Sequence, residues 1–150
     1  MIIAVCTDDP MIENVAREAS QSNHATFGDW HRVFDDPLPD LGKDEDLFIV
    51  AHGAAFGDEN QPVIGSEAND FYLTARDLNS NLHIFPEGYS GGVYVSACES
   101  AAPGANGLSF VQSYMRIIGP SFPNMTAWGH RQSLGGPLPP PGDSSWTQAS

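Results

Sequence analysis

LFIVAHGA at residues 47–54 and GVYVSACES at residues 92–100 decide the fold. Each is a short run that is apolar almost throughout and stops abruptly at residues that carry chemistry. The first stops at His52-Gly53, the second at Cys98-Glu99-Ser100. A strand with one wet face alternates apolar and polar residues, whereas a strand covered on both faces does not. Both runs therefore read as central strands of a parallel sheet. A third such run, Ile2 to Cys6, opens the chain. Behind it Asp9 can cap a helix and Pro10 suits the first helical position. Met11, Val15, Ala16 and Ala19 then give a helical stripe to about Ser20.

The other segments fill in the same scheme. Residues 25–34, with Phe27, Trp30, Val33 and Phe34, suggest a second strand. Residues 35–46 are rich in Asp, Pro and Gly and read as a loop, as do residues 54–69. Residues 71–82 suit a short strand and a short helix around Ala75, Leu78 and Leu82, before Pro86 and Gly88 break the chain. Leu108, Val111, Met115 and Ile118 recur at helical spacing, and Gly119-Pro120 ends that helix. Met125 to Gly129 suggests a last strand. The expected architecture is α/β, a three-layer domain with a mainly parallel central sheet flanked by helices, over residues 1–134. Residues 135–150, rich in Pro and Gly, read as an irregular tail.

A chain of 150 residues is about one domain, and 41% apolar with 10% aromatic residues suffices for a core. No apolar run approaches the roughly 18 residues that span a bilayer. The first ten residues lack the basic start of a signal peptide. Nineteen acidic residues against six basic ones give a net charge of −13. Such a surface repels phosphate backbones and anionic lipid, which argues against nucleic acid and membrane, and favours a basic partner or substrate. Cys6 and Cys98 are the only cysteines, too few for a disulfide framework, so reduced thiols in a cytoplasmic setting are expected, or delivery without an ordinary signal peptide. None of the five histidines stands in a metal-binding spacing, so no metal or other cofactor is expected. The oligomeric state is not legible.

In open α/β sheets ligands bind at the carboxyl ends of the strands, which selects Thr7 to Asp9, His52-Gly53, Cys98 to Ser100 and Trp128 to His130. Adjacent strands lie about 4.8 Å apart, so His52 and Cys98 can converge. A thiol attacks as thiolate, and a nearby imidazole takes its proton. Gly53 lets a substrate backbone approach, and the amides of Gly53 and Cys98 suit a developing oxyanion. Taken singly these residues have plainer readings: Cys98 as a buried thiol, His52 as the end of a strand, Cys6 as core, Asp9 as a helix cap.

VAHGA (50–54) and VSACES (95–100) together resemble the caspase-like cysteine peptidases, the superfamily of caspases, legumain, clostripain, separase and the bacterial CHAT domains. The 46 residues from His52 to Cys98 are close to the roughly 50 of caspases. The resemblance implies a caspase-like fold and a cysteine endopeptidase with a Cys98–His52 dyad, of the kind that serves prokaryotic regulation, defence or effector delivery. It implies a peptide or protein substrate and no cofactor. It also implies substrate-binding roles. Asp8, just after the first strand, would line the pocket for the residue before the scissile bond and favour Arg or Lys. Ser96 and Glu99 flank the nucleophile, and Trp128 lies on the strand that pairs with substrate. Each of these four also suits an ordinary turn, surface or packing role. Two rival functions are a catalytically inert interaction module of the same fold, and hydrolysis or transfer of a non-peptide acyl group.

Overall fold

The computed structural model describes residues 1–5, 8–66, 70–133 and 135–150. Its main sheet has six strands: β1 (Ile2–Ala4), β2 (Trp30–Arg32), β3 (Leu47–Val50), β7 (Gly92–Ser96), β8 (Thr126–Gly129) and β9 (Thr147–Gln148). Their order is β2-β1-β3-β7-β8-β9; all neighbours are parallel except β8 and β9. The three continuous apolar runs thus lie side by side, as expected of strands covered on both faces. Residues Leu47 to Val50 and Gly92 to Ser96 are buried throughout.

Two cores follow from the strand period of two. On one face Ile3, Leu47, Ile49, Val93, Val95 and Ala127 meet α3 (Ala75–Asn81) and α4 (Phe110–Ile118). On the other Ile2, Ala4, Phe48, Val50 and Tyr94 meet α1 (Pro10–Ser22) and α2 (His24–Phe27). The helix starts are chemically specified. Asp9 caps α1 with Pro10 behind it, while Thr74 with Asp77 and Ser109 with Gln112 form capping boxes on α3 and α4.

The helical stripe of α1 keeps Val15, Ala16 and Ala19 against the core but begins at Ile12 instead of Met11. Met11 is 64% exposed, and Ile12, Ala16 and Ala19 face the sheet. With Asp9 as cap, the first turn presents Ile12 rather than Met11 to β1. Residues 25–34 hold a short helix and a three-residue strand instead of one strand. The expected loop at 54–69 contains sheet. His52–Ala54 (β4), Val63–Ser66 (β5) and Phe71–Leu73 (β6) form a second, antiparallel sheet in the order β4-β5-β6.

The tail is irregular only as far as Trp146. Thr147 and Gln148 then pair with β8. Helices α1 and α2 cover only part of their face, leaving Tyr94 and Trp128 beyond them. Trp146 closes that remainder, edge-on to Tyr94 at 5.1 Å between ring centroids and with its indole N–H on the Pro140 carbonyl. Leu138 is buried beside it. No helix among the described residues is long and apolar enough to cross a membrane.

Candidate active site

The chain leaves β1 through α1 to reach β2 on one side, and leaves β3 toward β7 on the other, with α3 on the opposite face of the sheet. Strand order therefore reverses between β1 and β3, and connections that diverge there leave a crevice at the carboxyl ends. Asp9 follows β1, His52 follows β3 and Cys98 follows β7, so the three stand in sequence across the crevice.

Asp9 serves two elements at once. Oδ1 accepts the amides of Met11 and Ile12 at 3.1 and 3.4 Å, which caps α1. Oδ2 accepts from His52 Nε2 at 2.8 Å, and Ser66 Oγ lies 3.5 Å from the same oxygen. The carboxylate is only 4% exposed, and hydrogen bonds on both oxygens meet the cost of burying it. A carboxylate only accepts, so Nε2 carries a proton and, in the neutral ring, the lone pair sits on Nδ1. Sequence reasoning recovered the cap and missed the second oxygen. The available signal was that a capping Asp uses one oxygen and this one stands at a selected strand end.

Gly53 fixes the approach of the histidine strand to the cysteine loop. A Cβ there would lie 2.5 Å from the Cys98 carbonyl oxygen, 2.9 Å from the Ala97 Cβ and 3.2 Å from the Cys98 nitrogen. Only glycine admits that packing of backbone on backbone. Cys98 is half-buried. Glu99 beside it has φ of 58°, the left-handed region rarely adopted by residues with a side chain. That turn is held by its surroundings. The Glu99 amide donates to the Gln132 carbonyl and the Ala101 amide to the His130 carbonyl. Buried Ser100 donates to the Val95 carbonyl at 2.9 Å and accepts the His130 amide at 2.9 Å. Ser100 thus ties the cysteine loop to both β7 and β8.

The other expected site residues are placed differently. Asp8 is exposed and does not line the cleft beside His52. Ser96 is buried at the end of β7, in register with Val50. Trp128 stacks on Tyr94 at 5.8 Å and donates to Thr126 Oγ1. Its strand is flanked by β7 on one edge and β9 on the other, so the tail occupies the edge at which a peptide would add. Cys6 and Thr7 lie outside the described residues. A cleft of about 790 Å³ opens beside His52 and Gly53 along the small sheet. Among the described residues no three His, Cys, Asp or Glu side chains are grouped to hold a metal ion.

His130, behind the cysteine loop, is 1% exposed and stacks on Trp146 at 4.1 Å. Nδ1 donates to the Ser145 carbonyl, and buried Nε2 has no hydrogen-bond partner among the described residues. Burial lowers its pKa below the ordinary 6.5, against smaller opposing effects of the Ser145 carbonyl and Asp143. The unfolded chain therefore takes up this proton before the folded one does, so the contribution to stability is present above about pH 6.5 and is lost as pH falls through the lowered value. His130→Phe should flatten this part of the acid decline. The expected drop in Tm between pH 7.5 and 5.5 is smaller in the variant, by roughly 2–4 °C per kcal/mol of linkage removed. An equal drop in both proteins would contradict the assignment.

Comparison with protein-family models, with curated proteins and with solved structures gave no match.

Proposed function

We propose that the chain is a cysteine endopeptidase of caspase-like architecture in which Cys98 is the nucleophile and His52 the general base and acid. The observation that carries this reading is the contact of the Gly53 backbone with that of Cys98, next to an imidazole bonded to a buried carboxylate. Adjacent parallel strands bring the two loops to one end of the sheet, the end at which α/β folds bind ligands.

The chemistry follows from those residues. His52 takes the Cys98 thiol proton, and the sulfur adds to the scissile carbonyl carbon. The carbonyl oxygen, now negative, faces the amides of Gly53 and Cys98, where each donor typically contributes about 2.7–4 kcal/mol to the transition state. The C–N bond breaks as the imidazolium gives its proton to the leaving amine. A water molecule then adds to the thioester, one proton passing through His52 back to sulfur, and the acid product leaves with the thiol restored. Asp9 is a positioning residue that holds the ring and stabilises its charged form. A basic residue before the scissile bond is favoured by the protein's net charge of −13.

Internally quenched peptides that differ only in the residue before the scissile bond test this reading, set beside simple esters. Peptide turnover with preference for Arg or Lys is expected. Ester turnover without peptide turnover would favour a non-peptide acyl hydrolase. No turnover and no labelling of Cys98 by a peptidyl electrophile would favour an inert interaction module.

A further inference from the structure

The cleft beside His52 has a composition of its own. Its lining includes Phe56, Val63, Asp70, Phe71 and Tyr72 as well as His52. Phe56 is 64% and Tyr72 38% exposed. Phe34, also exposed, stands edge-on to Phe71 at 5.5 Å. Of the five large hydrophobic side chains exposed among the described residues, three therefore gather at one place. Scattered exposed apolar residues need no explanation, but a contiguous patch beside a reactive site points to a ligand. Among the described residues Asp70 is the only carboxylate on this lining. No cation among the described residues forms a salt bridge with it.

Which part of a substrate enters this cleft follows from proton transfer. The group that protonates the leaving amine must be within hydrogen-bond reach of it. Given the endopeptidase reading, on which this step rests, the segment after the scissile bond lies on the His52 side. The acyl segment lies on the Cys98 side. The cleft on the His52 side is walled by aromatic rings and carries the Asp70 carboxylate on a protein of net charge −13. An Arg or Lys side chain matches both features, since its cation sits favourably over ring faces and pairs with a carboxylate. We infer that the Asp70–Phe71–Tyr72 cleft binds a basic side chain in the leaving segment of the substrate, and so sets specificity after the scissile bond.

Dipeptide amides with a free amino terminus have the chemical form of that leaving segment and can be titrated into the wild-type protein by calorimetry or NMR. Arg-Ala-amide should bind at least tenfold more tightly than Glu-Ala-amide, with the ratio falling as salt rises. Asp70→Asn should remove most of the ratio, and Tyr72→Ala should weaken the Arg peptide. In turnover assays, Arg after the scissile bond should raise kcat/KM over Glu by a similar factor. Equal binding of the two dipeptides, or a ratio unchanged in Asp70→Asn, would overturn the inference. If peptides are cleaved and Cys98 is labelled without this preference, the inference falls and the endopeptidase reading stands. If Asp70-dependent binding is found and nothing is cleaved, the cleft stands as a site for basic peptides and the endopeptidase reading falls.

Discussion

Cys98→Ala should abolish peptide turnover, with far-UV circular dichroism and Tm close to those of wild type. In the proposed mechanism the thiol forms the covalent intermediate, and no other group there can take that place. The side chain is half-buried at a strand end, so its loss removes little packing. His52→Ala should have nearly the same effect, because a nucleophile and its base act as a unit and their losses do not add. Both variants should fall by at least about 10³-fold in kcat/KM, the scale on which such units fail. Turnover in Cys98→Ala at the wild-type rate would end the assignment.

Asp9→Asn is the second large effect, and it separates the two roles of that side chain. If the amide oxygen stays on the Met11 and Ile12 amides, the NH₂ group must turn to His52 Nε2. Two donors then face each other, and the neutral ring is relieved by moving its proton to Nδ1, which removes the lone pair needed as base. A wrong tautomer in an otherwise intact site costs on the order of 10⁴ in kcat in serine proteases, and a fall of about 10²–10⁴ is expected here. KM should change little, because the group does not touch substrate. Asparagine caps helices as well as aspartate, so Tm should hold in this variant. Asp9→Ala should in addition lose about 1 kcal/mol of helix capping. Wild-type kcat in Asp9→Asn would show that the carboxylate only caps α1.

The legible parts of the fold were those where one physical demand dominates. Leu47 to Val50 and Gly92 to Ser96 are buried on both faces, and continuous apolar runs say so directly. Asp9 with Pro10 marked the start of α1, whereas the caps Thr74 and Ser109 were not singled out. Of the second sheet, only the strand at Phe71–Leu73 was legible. His52–Ala54 and Phe71–Leu73 are three-residue strands, partly exposed, interrupted by glycine and loops, and their pairing is decided by where β3 delivers the chain. The end of the tail was missed for a similar reason. Its Pro and Gly composition argues against regular structure, yet Trp146 finds an uncovered part of a sheet face that local sequence cannot reveal.

Within the candidate site, the strand-end rule selected His52, Gly53 and Cys98, and they stand after the adjacent parallel strands β3 and β7. Sequence reasoning read Asp9 only as a helix cap, whereas Asp9 also bonds to His52. Consecutive residues point apart, and the residue that caps the helix is the one turned inward. Asp70 escaped notice because it enters the cleft only through the pairing of β5 with β6.

The most direct test of the central claim is the rate at which a peptidyl electrophile alkylates Cys98 at pH 7, mapped by mass spectrometry, in wild type and in His52→Ala. The account predicts alkylation confined to Cys98 and at least tenfold slower without the imidazole. Equal rates in the two proteins, or modification at Cys6 in place of Cys98, would contradict it.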